Sequence, residues 1–125
     1  MDYDVLVVED SAAMRAFIAS TIEELDGVRA VQAASGFEAL KELPRRAFRL
    51  VVTDINMPDI NGLELIRFIR ENERYAKIPV IVISTEGSQR DRERGLALGA
   101  NNYLVKPFEP AQLQELVTRY LKGGT

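Results

Sequence analysis

Short apolar runs alternate along the chain with stretches in which apolar residues recur every three or four positions. Five runs rich in Val and Ile are typical of strands buried on both faces of a sheet. The predicted strands are residues 4–9, 28–34, 49–53, 78–84 and 103–105. A stretch with helical spacing follows each of them. Strand–helix units joined by short connections predict a parallel sheet with helices on both faces, so the expected fold class is α/β.

Capping and breaking residues mark where these helices begin and end. The predicted helices start near Ala12, Ser35, Gly62, Ser88 and Pro110. Asp26-Gly27, Pro44 and Gly99 are expected to end the first, second and fourth. One apolar face is expected on the first helix (Met14, Phe17, Ile18, Ile22, Leu25), the third (Leu65, Ile66, Ile69) and the last (Leu113, Leu116, Val117, Tyr120, Leu121).

Length and composition narrow the function classes. The 125 residues suit a single domain over residues 1–125, without an internal linker, repeat or low-complexity segment. The chain has no Cys and no His, which excludes disulfides, thiolate catalysis and His-based acid–base chemistry. A net charge of −3 argues against direct nucleic-acid binding. The sequence contains neither an apolar run long enough to span a membrane nor a basic secretory start, so we expect a cytoplasmic protein without a membrane partner.

Chemically capable side chains stand where four of the five predicted strands end. The first strand ends in Glu9-Asp10, the third in Asp54, the fourth in Ser84-Thr85, and the fifth is followed by Lys106. Each has an ordinary alternative explanation, such as an Asx turn or N-cap for Asp54 and a solvated surface amine for Lys106. The carboxyl ends of parallel strands lie at one edge of a sheet, however, so all four ends are expected to converge where ligands bind in such folds.

Three carboxylates at one edge raise each other's pKa unless positive charge lies between them. Lys106 supplies one such charge, and a divalent cation such as Mg²⁺, which binds one or two carboxylates together with phosphate oxygens and waters, could supply the rest. A carboxylate beside a cation, an amine and a hydroxyl is suited to accepting a phosphoryl group as an aspartyl-phosphate.

Four motifs in this order resemble the receiver domains of two-component response regulators. They are VVED at residues 7–10, DINMPDING at 54–62, IST at 83–85 and KPF at 106–108. The resemblance covers about residues 4–122. It is strongest to stand-alone chemotaxis regulators of the CheY kind, because DSAAMR at residues 10–15 and the end of the chain after the fifth helix also fit. It implies five parallel strands in the order 2-1-3-4-5 with five helices.

The resemblance also assigns a role to each residue at the strand ends. Asp54 is the expected phosphoacceptor, and Lys106, Ser84 and Thr85 belong to the phosphoryl-transfer site. The implied Mg²⁺ (or Mn²⁺) ligands are Asp10, Asp54, the main-chain carbonyl of Asn56, and Glu9 through water. Ser84 is the expected switch hydroxyl and Tyr103 the aromatic that moves with it, while the Lys106–Pro107 bond is often cis in this family.

Glu9 and Thr85 depart from the family's commonest pattern. Glu9 stands where many members have Asp, so its longer arm could alter metal affinity. Thr85 stands where Ala or Gly is frequent, and its bulk could narrow access to Asp54. Asn56 and Glu86 are expected to flank the path of the water that removes the phosphoryl group.

The implied partners are a histidine kinase or phosphotransfer domain and a downstream protein. The downstream protein is expected on the face formed by helix 4, strand 5 and helix 5, where basic residues gather: Arg90, Arg92, Arg94 and Lys122. Charge alone favours a simple solvated surface there, since Asp91 and Glu93 balance the arginines. The expected pathway is of the chemotaxis or motility type.

Three alternatives remain. A phosphotransferase of the haloacid dehalogenase type also uses an aspartate at a strand end, but it needs an acid where this chain has Asn56, and it usually carries a cap domain. A pseudo-receiver would bind partners without phosphorylation, which the complete set Asp10, Asp54, Ser84 and Lys106 argues against. The chain could also be the receiver of a larger regulator, for example a DNA-binding one.

Overall fold

The computed structural model of the chain describes residues 2–85, 87 and 89–122. The expected helix start at Ser88 and the water-path residue Glu86 lie outside the described residues. Five strands alternate with five α-helices, and a 3-10 turn extends the second helix. The elements are β1 (Tyr3–Val8), α1 (Ala12–Glu23), β2 (Val28–Ala33), α2 (Gly36–Glu42), the 3-10 turn (Leu43–Arg45), β3 (Leu50–Asp54), α3 (Gly62–Glu71), β4 (Val80–Thr85), α4 (Gln89–Leu98), β5 (Asn102–Lys106) and α5 (Pro110–Lys122).

The five strands form one parallel sheet in the order β2-β1-β3-β4-β5, which confirms the predicted α/β class and strand order. β1, β3 and β4 are central, and their apolar residues are almost fully buried. β2 and β5 are the edge strands. The strand whose end carries no reactive side chain, β2, therefore lies at the margin, and the four others are neighbours.

Each side of the sheet has its own apolar core because side chains alternate along a strand. Val5 and Val7 of β1 belong to one core, and Leu6 and Val8 belong to the other. The first core takes its helical residues from α1 and α5: Ile18, Ile22, Leu113, Val117 and Leu121. The second takes them from α2 and α3: Ala39, Leu63, Leu65, Ile66 and Ile69. Among the described residues, no helix is both long and apolar enough to span a bilayer.

The helical faces were predicted correctly for α3 and largely for α5 and α1; on α1, Ile18 and Ile22 are buried, Met14 packs against the same core, and Phe17 is the exception. Leu65, Ile66 and Ile69 of α3 are fully buried. On α1, Phe17 is 38% exposed, and its ring contacts Phe108 near the surface, with the ring centroids 5.9 Å apart. Ala19, which the sequence analysis did not place on the apolar face, is buried instead.

Several predicted boundaries were wrong by one to three residues. β4 begins at Val80 because Ile78 belongs to a turn, in which its N–H bonds the carbonyl of Tyr75 at 3.0 Å. β3 includes Asp54, and β5 extends from Asn102 to Lys106. β1 and β2 each end one residue earlier than predicted, and α1 ends three residues before Asp26.

Pro44 does not end the second helix outright. It lies inside the 3-10 turn that follows α2, near the start of that turn, where its missing N–H leaves no donor unpaired.

Candidate functional site

The structure brings the four reactive strand ends together at the carboxyl edge of the sheet. The amine of Lys106 joins three strands, since its Nζ lies 2.9 Å from Glu9 Oε1 and 3.4 Å from Asp54 Oδ2. Lys106 also pairs in register with Thr85 at the end of β4. The edge therefore combines carboxylates, an amine and hydroxyl-bearing residues, as the sequence indicated.

Glu9 is held rigidly beneath this edge. Its side chain is almost fully buried and both carboxylate oxygens are engaged: Oε1 accepts from Lys106, and Oε2 accepts from the Ser11 N–H at 3.0 Å. The main-chain carbonyl of Glu9 accepts from Arg15 Nη1 at 2.9 Å, which ties α1 to the end of β1. Ser11 also caps α1, because its hydroxyl accepts from the Met14 N–H.

The pKa directions of Glu9 and Lys106 reflect their burial and the carboxylates beside the amine. Burial, the largest influence, raises the pKa of the Glu9 carboxyl above its usual 4.5, and the charge of Asp54 acts in the same direction. Burial alone would lower the pKa of Lys106, but the hydrogen bond to Glu9 and the charges of Asp54 and Glu9 outweigh it and raise that pKa above 10.5. Both groups hold their protons more tightly than in water, so added positive charge would stabilise the site.

Three carboxylates of the site form a set that could hold a cation. Glu9, Asp10 and Asp54 each offer an oxygen, and these oxygens lie within 4.8 Å of one another. Asp10 is exposed while Glu9 and Asp54 are buried, so the set has one open side. A donor set of carboxylate oxygens suits a hard divalent ion such as Mg²⁺ or Mn²⁺.

Asp54 is the last residue of β3 and retains 7% of its accessible surface. Its Oδ1 accepts from the Asn56 N–H at 3.3 Å, so the chain turns around this carboxylate immediately after the strand. Gly62 closes that turn, with its N–H 2.8 Å from the Ile55 carbonyl oxygen. A Cβ on Gly62 would lie 2.4 Å from the Asp54 carbonyl oxygen, so only glycine allows this close approach.

Ser84 and Thr85 follow at the end of β4 but differ in environment. Ser84 is fully buried, and its Oγ is the one buried side-chain polar atom of the described residues that has no hydrogen-bond partner. A buried hydroxyl without a partner is unusual and suggests a ligand that completes it. Thr85 is exposed, and its main-chain carbonyl accepts from Arg92 Nη1 at 3.2 Å.

Tyr103 connects this edge to the α4 surface. Its side chain is 40% exposed, and the Arg92 guanidinium lies over its ring, 5.4 Å from the centroid. Because the same guanidinium bonds Thr85, one arginine links α4, β4 and β5. The sequence analysis had placed Arg92 only in a general basic patch.

Asp59 is a residue whose contacts the sequence analysis missed. The motif at residues 54–62 contains it but gave it no role, whereas its carboxylate accepts from the N–H groups of Phe37, at 2.9 Å, and Gly36, at 3.3 Å. Asp59 thereby joins the loop after Asp54 to the start of α2. Hydrogen bonds from the backbone, Phe37 first, lower the pKa of Asp59 below 3.8. The Lys106–Pro107 bond is cis, as the family resemblance led us to expect.

Comparison with known proteins agrees with this geometry. The sequence-family model of the response regulator receiver domain matches residues 5–118 of this chain. The chain is 41% identical over 111 residues to the chemotaxis protein CheY1 of Helicobacter pylori, which covers 88% of this chain and 90% of that relative. It is 40% identical over 119 residues to the response regulator protein FleR of Pseudomonas aeruginosa, which covers 95% of this chain and 24% of that longer relative.

The solved structure of the chemotaxis response regulator CheY4 of Vibrio cholerae superimposes with a TM-score of 0.87 at 32% identity. The match covers 96% of this chain and 99% of that one. The family match and the fold agree, and the chain belongs to the response regulator receiver family.

Proposed function

We propose that Asp54 is the phosphoacceptor of this phosphorelay receiver. The main support is the contact between its carboxylate and the Lys106 amine, 3.4 Å apart, at an edge that also holds Glu9 and Asp10. In the proposed reaction an oxygen of Asp54 attacks the phosphorus of a phosphohistidine on a kinase or phosphotransfer domain. A P–O bond forms, the P–N bond breaks, and the histidine leaves with the bonding electron pair.

We propose Mg²⁺ (or Mn²⁺) as the cofactor. Asp10, Asp54 and the main-chain carbonyl of Asn56 would hold the ion, with Glu9 acting through water, as the family resemblance implies; Lys106 and Ser11 each bond one of the two Glu9 carboxylate oxygens. When bound, the ion would neutralise the transferring phosphoryl oxygens. Lys106 contributes a further positive charge next to Asp54, with its Nζ 3.4 Å from Asp54 Oδ2.

The same site would also lose the phosphoryl group to water. A water oxygen attacks phosphorus, inorganic phosphate leaves, and the Asp54 carboxylate is restored. Asn56 and Thr85 stand after Asp54 and Ser84 respectively and are both exposed, so their side chains can influence the water's approach. Through this self-catalysed gain and loss of the phosphoryl group, the protein would act as a signalling domain whose phosphorylated form has a limited lifetime.

The switch that follows is proposed to start at Ser84. The phosphoryl group provides the acceptor that the buried Ser84 hydroxyl lacks among the described residues, and Lys106 pairs with its charge. Movement of Ser84 vacates space into which Tyr103 can turn, away from the Arg92 guanidinium that now covers its ring. Release of Arg92 would change the surface formed by α4, β5 and α5.

That surface is the proposed contact for a downstream protein. Similarity to CheY1 of Helicobacter pylori supports a role in chemotaxis or motility signalling. Residues 1–125 are proposed to act as a single domain. Similarity to FleR also allows the alternative of a receiver within a larger regulator. Cytoplasmic location stays a prediction from the sequence.

Intact-mass measurement after incubation with a small acyl phosphate tests the proposal. Wild type should gain one phosphoryl group with Mg²⁺ and none in excess chelator. Asp54→Ala and Asp10→Ala should gain none. Asp26→Ala, an exposed carboxylate at the opposite edge of the sheet, should behave like wild type. Equal uptake by wild type and Asp54→Ala would instead support another acceptor, and no uptake by wild type would support a pseudo-receiver.

A further inference from the structure

Two adjoining clefts lie at the amino edge of the sheet, opposite the carboxylate site. One has a volume of about 380 Å³ and lies between the turn after α2 and the segment after α3. The other has a volume of about 340 Å³ and continues towards α5. They share Phe48, Arg74 and Ile78, so together they form one groove beneath the starts of β3 and β4.

Positive charge dominates this groove. Its lining contains five cationic side chains, all of them exposed, which we call the basic groove residues: Arg45, Arg46, Arg49, Arg74 and Lys77. Glu73 is the one carboxylate among the residues that line the two clefts. Arg45 pairs with Glu42 at 3.4 Å, and the other four form no ion pair with a described residue. Such an excess is notable in a chain whose net charge is −3.

Two of the arginines are already positioned by contacts other than ion pairs. Arg74 donates to the Pro44 carbonyl at 3.2 Å and lies 5.5 Å from the centre of the Tyr75 ring. The Arg49 guanidinium lies 4.8 Å from the centre of the Tyr3 ring. These contacts leave the positive charge of both guanidinium groups in place. They also leave N–H groups on each guanidinium that can donate to a ligand. Pre-positioned donors reduce the entropy lost on binding.

The groove favours an acidic peptide over the other anionic macromolecule, single-stranded nucleic acid. Binding of single strands relies on exposed aromatic faces that stack with bases. Of the aromatic rings that line the groove, Phe48 and Tyr75 are only 5% and 7% exposed, and Tyr120 is half-buried with its hydroxyl bonded to the Asn101 carbonyl at 3.1 Å, so none presents a fully exposed face. Carboxylates of an extended peptide need no such platform, because arginine binds them through paired N–H donors.

We propose that the basic groove docks an extended acidic segment of a protein partner. Since the groove lies at the amino edge of the sheet, a partner held there leaves the Asp54 edge accessible to a phosphodonor. The groove would then act as a tether that raises the local concentration of the partner whether or not Asp54 is phosphorylated. The proposal does not depend on which residue accepts phosphate.

Amide NMR titration with an octapeptide of alternating Glu and Asp tests this inference. Signals of residues 44–49 and 73–79 should shift in wild type, and raising the salt concentration should weaken binding because exposed charges are screened. The double variant Arg46→Glu/Lys77→Glu should bind at least about tenfold more weakly, a loss of about 1.4 kcal/mol. A urea midpoint equal to that of wild type would show that the variant is folded. If the variant is less stable, Arg46→Ala/Lys77→Ala provides the same test with a milder change.

The control Arg67→Glu reverses one charge at an exposed position outside the groove. It should bind the peptide within about twofold of wild type, because screened charges at a distance add little. The proposal is overturned if the control loses as much affinity as the groove variant, if the shifts map to α4, or if wild type does not bind. Tighter binding of a single-stranded oligonucleotide at the same residues would also overturn it.

Discussion

Replacement of Gly62 by alanine should destabilise the protein and disturb the candidate site together. Gly62 is the first residue of α3, and an added Cβ would lie 2.4 Å from the Asp54 carbonyl oxygen and 2.8 Å from Ile55 Cα. Both atoms belong to the backbone, so neither can rotate away, and the end of β3 must separate from α3. Forced overpacking of this kind costs about 1–3 kcal/mol of unfolding free energy.

Gly95 provides a matched control on α4. A Cβ there would meet Leu63 and Val82 at 3.7 Å, which is ordinary van der Waals contact. Gly95→Ala should therefore gain about 0.5–1 kcal/mol from the better helix propensity of alanine. Urea unfolding should separate the two variants by about 2 kcal/mol or more. Phosphoryl uptake should slow in Gly62→Ala and remain close to wild type in Gly95→Ala.

Gly62→Ala and Gly95→Ala add the same methyl group, so a difference between them reports only the surroundings of that group. If Gly62→Ala is as stable as Gly95→Ala, the close approach between α3 and the end of β3 does not constrain the chain as the structure indicates. If Gly62→Ala loses stability but takes up phosphate at the wild-type rate, the position of Asp54 does not depend on this contact.

Three further changes probe the surroundings of the site. Asp59→Ala should lower the urea midpoint at neutral pH. Because the folded-state pKa of Asp59 is lowered, its carboxylate stabilises the fold at pH values above 3.8, and this stabilisation is lost as the pH falls through the lowered pKa. The difference in urea midpoint between Asp59→Ala and wild type should therefore disappear in acid. A difference that stays constant with pH would contradict the hydrogen bonds between Asp59 and α2. Thr85→Ala should change the rate of phosphoryl gain or loss measured by mass, and unchanged rates would mean that Thr85 does not crowd the path. Beryllofluoride should shift amide signals across residues 84–108, including Tyr103, whereas shifts confined to the surroundings of Asp54 would exclude the proposed switch.

The fold was predictable because its signals are local. Runs such as residues 51–53 and 80–83 are continuous and β-branched, which is typical of strands buried on both faces, and their alternation with helical stretches predicts a parallel sheet. A parallel sheet places Glu9, Asp54 and Lys106 at one edge, whereas the strand order that makes their strands neighbours came from the family resemblance. Element ends were less predictable, since the start of β4 depends on a turn that bonds Ile78 to Tyr75.

The missed features all depend on contacts between distant segments. Asp59 meets Phe37 across 22 positions, and no local pattern distinguishes it from an ordinary turn residue. Arg92 bonds the end of β4 and covers Tyr103, although its neighbours on α4 suggested only a charged surface. The basic groove likewise brings together arginines from two separate segments, residues 45–49 and Arg74, and the acidic net charge of the chain gives no sign of this local positive charge.

Chemical mapping of the phosphorylated residue tests the central claim most directly. Borohydride reduces an acyl phosphate to an alcohol, so it converts a phosphorylated aspartate into homoserine that peptide mass spectrometry can locate. After incubation with a small acyl phosphate and Mg²⁺, we expect homoserine at position 54 and unmodified carboxylates at Glu9 and Asp10. Reduction at Asp10, at Glu9 or at a carboxylate outside this edge would contradict this expectation.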